Sequence, residues 1–167
     1  MNEPTLYSSL IAQSKFHLVV NKISNRLLSS PPISDEEALA LNSSAELWAT
    51  TLPWYIQLDS PTSFSYDWHL FALPRLWWRF WNLQIILTRP FLLQWATKRI
   101  DSQNISIGDR KQSECRQLCV KSAHMTINSI DKYIRHNQLS RLASWYTLYV
   151  ISTIELEFRI FSIRYLC

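Results

Sequence analysis

The sequence predicts an all-α fold, and its composition supports that prediction in two ways. Only one of the 167 residues is glycine, Gly108, whereas a typical globular chain carries roughly 7%. Sheets need many tight turns that glycine adopts readily, so this shortage favours long helices joined by Pro- and Ser-rich connections. The chain is 47% hydrophobic and 18% charged, which is too apolar for a disordered protein. We therefore expect a multi-helix bundle or array.

The shortage of glycine also argues against several classes of enzyme. Dinucleotide-binding folds, P-loops and nucleophile elbows need glycine where the backbone turns sharply or approaches a phosphate. The histidines are dispersed, and none lies beside a serine or cysteine in a recognisable nucleophile arrangement. We assign no catalytic residue and expect that this chain is not an enzyme.

Charge and cysteine content indicate the chain's surroundings. The net charge is +4, and the basic residues are scattered, unlike the clusters of nucleic-acid-binding surfaces. The longest stretch without Asp, Glu, Lys or Arg is residues 142–154, whereas a membrane helix needs roughly twenty residues. Cys115, Cys119 and Cys167 suggest no disulfide framework, and no signal peptide is visible. We expect a reducing intracellular compartment and no membrane span.

The first predicted helix covers residues 6–28. Its apolar residues recur every three or four positions, at Phe16, Val19, Val20, Ile23 and Leu27.

Two capping boxes follow this helix. Ser34 precedes Glu37 by three residues, and Ser43 precedes Glu46 in the same way. Such a pair satisfies free amides at a helix start. The boxes predict two short helices, residues 35–41 and 44–52.

The central predicted helix is residues 74–88, after an internal loop at 53–67. Large apolar groups occupy nearly every face of this helix, so it belongs in the middle of a core. Arg89 and Pro90 should end it, because proline lacks the amide that continues the helix and disfavours the α conformation in the preceding residue. Residues 91–95 should continue at a new angle.

A second internal loop is predicted at residues 98–112. On the helix after it, one apolar stripe is predicted to form the core face: Cys115, Cys119, Ala123, Ile127, Ile130 and Ile134. Residues 139–163 form the last predicted helix, and its charged end makes 155–167 an atypical C-terminal segment.

Two groups of residues invite a ligand interpretation. Cys115 and Cys119 share a helix face, but His124 is rotated away from it, so buried core cysteines are favoured over a metal site. Arg89 could bind a phosphate or carboxylate with its planar guanidinium. A structural role is favoured, in which Arg89 bonds the last carbonyls of its helix or pairs with a buried acid.

The central helix carries aromatic, arginine and asparagine positions and closes on Arg-Pro-Phe-Leu. The residues concerned are Trp78, Arg79, Asn82, Arg89, Pro90 and Phe91. This segment resembles the middle homology region, or fungal-specific transcription factor domain, of fungal transcription factors that carry a binuclear zinc cluster. Trp48 and Leu52-Pro53-Trp54 are similar to the family's upstream segment, and residues 119–130 and 144–146 to its later helices. The resemblance covers most of residues 6–154.

Two departures from the family limit what the resemblance implies. The six closely spaced cysteines of the zinc cluster are absent from this sequence, so zinc and DNA contact belong to a domain not present here. No cofactor or metal is expected in this chain. The family's region is also longer, and a charged run replaces its apolar continuation after Ile154. We expect residues 1–167 to be one partial domain, as in a fragment or a gene model that leaves its frame.

The resemblance implies the regulatory region of a nuclear transcription factor. Such a region modulates transcriptional activity through intramolecular contacts, dimer contacts or a small effector. The alternative is an intracellular helical module in which the aromatic residues of 77–95 line a pocket for an apolar small molecule or a protein partner.

Overall fold

The computed structural model describes Thr5 and residues 7–58, 67–101, 110–138 and 140–163; the side chains of 67–70, 98–101 and 153–163 lie outside this description. The described residues form five α-helices and no strand, which confirms the all-α prediction. The helices are α1 (Ser8–Leu27), α2 (Asp35–Thr50), α3 (Asp67–Asp101), α4 (Arg110–His136) and α5 (Arg141–Ile163), with one 3₁₀ turn at Trp54–Ile56. Helix α3 contacts each of the other four, and α4 is its most extensive neighbour.

The start of α2 at Asp35 confirms the helix start that the first predicted capping box gave, but only the serine half of the box forms. The Ser34 hydroxyl accepts a hydrogen bond from the backbone amide of Glu37 at 3.2 Å. The Glu37 carboxylate turns instead to Arg26 in the last turn of α1, with N–O distances of 2.5 and 2.7 Å. This bidentate pair connects the end of α1 to the start of α2 and fixes the turn between them.

The second capping box is wrong, because α2 is one helix and not two. The Ser43 hydroxyl donates to the carbonyl of Leu39 at 2.9 Å, and Ser44 donates to that of Ala40 at 3.3 Å. A serine inside a helix satisfies its hydroxyl in this way without ending the helix. The buried face that includes Ala38 and Ala45 runs through the expected break, so packing continues the helix.

Helix α3 is also longer than predicted. It begins at Asp67 and reaches Asp101, with Pro74 and Pro90 both inside it, so Arg89 and Pro90 do not end a helix. The amide missing from Pro90 would have bonded the carbonyl of Ile86, and both residues lie on the exposed side of α3, where water can satisfy that carbonyl. Phe91 and Ala96, beyond the proline, are buried and hold the helix against the core.

Parts of the two predicted loops, and of the predicted atypical C-terminal segment, are helical. Residues 54–56 form the 3₁₀ turn, and the indole N–H of Trp77 donates to the carbonyl of Ile56 at 3.0 Å. Residues 98–101 and 110–112 belong to α3 and α4, and α5 runs through 155–163. Pro53, Gln57 and Leu58 lie outside the helices, as predicted for a loop, whereas 59–66, 102–109 and 164–167 lie outside the described residues.

The predicted apolar stripe of α4 is correct at four of its six positions. Cys115, Cys119, Ala123 and Ile130 are buried, whereas Ile127 and Ile134 are 45% and 42% exposed. A step of four residues rotates about 40° past a full turn, so a stripe spaced mainly by fours drifts off any fixed face. The buried face of α4 turns instead through Ser122, Thr126 and Tyr133.

The aromatic side chains fill the core in two clusters. The first joins α1, α2 and α3: Phe16 lies 4.5 Å from Trp48 between ring centroids, and Trp48 lies 6.0 Å from Phe80. The second joins α3 to α4 and α5, where Trp78 contacts Tyr133 edge-on at 5.6 Å and stacks on Tyr146 at 6.1 Å. Helix α3 therefore has core on opposite sides, as its apolar faces predicted.

A row of polar side chains crosses this core. Gln84 on α3 donates to the side-chain oxygen of Asn42 on α2 at 2.9 Å and accepts from the Ser122 hydroxyl on α4 at the same distance. Asn42 in turn donates to Glu46 at 3.0 Å. All three central side chains are buried and hydrogen-bonded, so the row fixes the relative positions of three helices.

The outer face of α5 is apolar and exposed. Its large exposed apolar residues are Leu142, Trp145, Leu148, Tyr149 and Ile151. Within the described part of the chain, no helix combines the length and apolar character needed to cross a bilayer.

Trp81 tests the burial of α3 directly, since only 5% of its surface is exposed. We expect Trp81→Ala to lower the free energy of unfolding by ~3–5 kcal/mol, measured by chemical denaturation, because it leaves a large cavity. Trp145→Ala is the matched control, since Trp145 is 64% exposed. That change should stay within about 0.5 kcal/mol of the parent. Equal denaturation midpoints for Trp81→Ala and the parent would contradict the packing of α3.

Candidate functional site

The residues that carry the family resemblance lie along α3. Trp78 is fully buried, and its indole N–H donates to the hydroxyl of Ser129 on α4 at 2.9 Å. Arg79, one position on, is half-buried and reaches α1 and α5 instead. The Asn82 side-chain oxygen is buried and has no hydrogen-bond partner among the described residues. Trp78 and Arg79 thus link α3 to three neighbouring helices.

Arg89, Pro90 and Phe91 stand inside the helix that they were expected to end. Arg89 is half-buried, Pro90 is exposed and Phe91 is buried. Because α3 continues to Asp101, no helix end lies at Arg89, and its predicted role in bonding terminal carbonyls is wrong. The motif does not mark a boundary.

The cysteines of α4 are core residues, as the sequence favoured. Cys115 and Cys119 are buried, and the Cys115 thiol lies 3.7 Å from the backbone carbonyl of Asp35. His124 is exposed. Among the described residues, no group of three or more His, Cys, Asp or Glu side chains is placed to hold a metal ion.

The continuation of α3 past Pro90 creates a groove with α4. Leu92 and Trp95 line it from α3, and Arg116, Gln117, Val120, Lys121, His124 and Met125 line it from α4. The groove is a shallow surface depression of about 540 Å³ that is largely open to solvent. That volume is within the range of small-molecule sites.

The groove combines an apolar wall with positive charge. The Arg116 guanidinium lies over the Trp95 ring, 5.3 Å from its centroid, and its Nη1 is buried without an acceptor among the described residues. Lys121 adds a second, exposed cation, and none of the lining residues is acidic. This arrangement suits a molecule with an apolar body and an anionic end.

Comparisons with known proteins do not identify the chain. No family model, no curated protein and no solved structure matches it. The resemblance to the fungal regulatory region therefore stays a prediction from the sequence motifs.

Sequence reasoning did not find the groove. Val120 and Lys121 follow the predicted core stripe of α4, but nothing in their spacing separates them from an ordinary solvent-exposed face. The groove also needs Leu92 and Trp95 in register with them, which depends on α3 continuing through Pro90. The available sequence signal was the apolar pair Leu92 and Trp95 beyond Pro90.

Burial of Cys115 has a measurable consequence. Burial first, and then the nearby Asp35 carboxylate, raises the pKa of the Cys115 thiol to about 11. With Cys119 and Cys167 replaced by alanine, we expect Cys115 to react with an aromatic disulfide reagent far more slowly in the folded protein than in guanidinium chloride. The reason is that the thiolate is the reactive form.

The matched control moves the thiol to the surface of the same helix. Ile127→Cys in a background that also carries Cys115→Ala should react quickly while folded, because position 127 is exposed. Equal rates for the two folded proteins would show that Cys115 is accessible.

Proposed function

We propose that this chain is a non-catalytic regulatory module whose helices respond to an effector bound in the groove between α3 and α4. In line with the sequence resemblance, we place it in the nucleus as the regulatory region of a fungal transcription factor. It would not contact DNA itself, and zinc would belong to a separate zinc-cluster domain of the family.

The groove is the observation that carries this proposal. Trp95 from α3 and Arg116 from α4 meet across it, so a bound molecule would contact both helices at once. A ligand that prefers one packing of α3 on α4 shifts the equilibrium toward that packing. Typical coupling energies of this kind are ~1–3 kcal/mol, which is enough to regulate a partner.

The positive charges that line the groove indicate the chemical class of the effector. The cations of Arg116 and Lys121, together with the apolar surface of Val120 and Leu92, favour an amphipathic anion such as a molecule with a hydrocarbon body and a carboxylate. Among the described residues Arg116 Nη1 has no acceptor, and an anionic end that reached it would supply one.

The second candidate is a helical binding module without a role in transcription. The same groove favours it, since the groove itself does not depend on the family. The sequence upstream in the full-length transcript distinguishes the two: a binuclear zinc cluster followed by a coiled-coil linker supports the regulatory region. Protein partners or self-association remain part of the first proposal through the family resemblance.

The groove is testable with dodecanoate, used below its micelle concentration, and with uncharged dodecanol. We expect dodecanoate to raise the melting temperature of the protein more than dodecanol does, because only the carboxylate meets the cations. A ligand at 100 times its dissociation constant stabilises by ~2.7 kcal/mol. Thermal unfolding followed by tryptophan fluorescence provides the measurement.

Two variants of α4 locate the binding. Val120→Asp places a carboxylate in the groove and should abolish the dodecanoate shift, whereas Ile127→Asp makes the same kind of change at an exposed position outside the lining. Ile127→Asp should keep the shift. Loss of the shift in both variants, or in neither, would contradict binding in the groove.

A further inference from the structure

Two arginines of α3 form a cationic cluster away from the groove. Arg75 and Arg79 are one turn apart, and both are half-buried. Arg79 Nη1 donates to the side-chain oxygen of Gln13 on α1 at 3.2 Å, and Arg75 Nη2 lies 3.5 Å from the same oxygen. Two positive charges therefore converge on a single neutral acceptor.

The other contacts that the described residues make with the pair are also with uncharged side chains. Arg79 Nε donates to the Tyr146 hydroxyl on α5 at 3.2 Å, and its guanidinium lies 5.9 Å from the centroid of that ring. The Arg75 guanidinium lies 5.5 Å from the centroid of the Phe71 ring. Aromatic faces attract cations but do not neutralise them. Gln13 is buried, with 8% of its surface exposed, so the shared acceptor is held inside the structure.

No carboxylate pairs with either arginine in the described part of the chain. The ion pairs observed there are Arg26–Glu37, Lys111–Glu36 and Arg135–Asp131. Arg75 Nε is moreover buried and has no hydrogen-bond acceptor among the described residues. A buried charged donor without an acceptor costs free energy, and an anion would remove that cost.

The pKa of Arg75 reflects the same unfavourable burial of an unpaired charge. Burial, and then the neighbouring charge of Arg79, lower the pKa of Arg75 below its usual value. Arginine nevertheless stays protonated at neutral pH, so the pair keeps both charges. An anion between the two guanidinium groups would reduce their mutual repulsion.

We infer that Arg75 and Arg79, with Gln13 and Tyr146, form a binding site for a small oxyanion, a phosphate or a carboxylate group. Guanidinium groups bind both through paired N–H donors. Since Gln13 belongs to α1 and Tyr146 to α5, an anion here would strengthen the attachment of both helices to α3. The site is separate from the α3–α4 groove, and it does not depend on the proposed function.

The test compares melting temperatures in chloride, inorganic phosphate and acetate at equal ionic strength and neutral pH. We expect phosphate, acetate or both to raise the melting temperature of the parent protein along a saturating curve. A phosphate response alone identifies a phosphoryl ligand, and an acetate response alone identifies a carboxylate. If neither anion produces a saturating response, the inference is overturned.

Variants separate binding from general salt effects. Arg75→Gln should lose the saturating response, whereas Arg135→Gln, at an exposed position on α4, should keep it. In chloride alone, Arg75→Gln should be at least as stable as the parent, because it removes one of two like charges. Equal anion responses in Arg75→Gln and the parent would contradict the site.

A direct measurement covers the case in which Arg75→Gln fails to fold. The ³¹P resonance of inorganic phosphate, or the ¹³C carboxylate resonance of labelled acetate if acetate is the stabilising anion, should broaden on addition of the folded parent protein or of Val120→Asp, which alters only the groove. It should broaden less with Arg75→Lys, which keeps the charge but loses the planar guanidinium. Equal broadening by Arg75→Lys and the parent would mean that the guanidinium does not recognise the anion.

Discussion

Burial of α3 against the helices around it is the constraint on which the rest of this structure depends. Phe80 packs against Phe16 of α1 and Trp48 of α2, and Trp78 packs toward α4 and α5. An interior proline removes a backbone hydrogen bond and usually kinks or breaks a helix, at a cost of ~3 kcal/mol. Burial of one large apolar side chain contributes ~1.5–3 kcal/mol, so apolar residues on both sides of Pro90 offset that cost.

Continuity of α3 also positions the two candidate binding sites. The oxyanion site uses Arg75 and Arg79 before Pro90, and the groove uses Leu92 and Trp95 after it. Between them lies the polar row through Gln84, whose hydrogen bonds require one register of α2, α3 and α4. A ligand at either end would therefore act on a helix whose middle is fixed.

The sequence predicted what depends on periodicity and missed what depends on packing. The apolar spacing of Phe16 and Ile23 correctly placed the buried face of α1, and the tryptophans correctly placed α3 in the core. The capping boxes at Ser34 and Ser43 look alike, yet only the first begins a helix, because packing carries α2 through the second. For the same reason α3 continues through Pro90, where the sequence predicts an end. Local signals report the preferences of a short segment, and neighbouring helices override them. The arginine pair and the groove join residues that are distant in sequence, so no local sequence pattern predicts either of them.

Amide hydrogen exchange across Pro90, followed residue by residue by NMR, tests the continuity of α3 most directly. A continuous helix keeps the amides of residues 91–96 bonded to carbonyls one turn earlier, so we expect protection there comparable to that of residues 80–89. If protection stops at Arg89 and residues 91–96 exchange at the rate of unstructured chain, α3 ends at the proline. The groove would then lose the wall formed by Leu92 and Trp95, which would contradict a continuous α3.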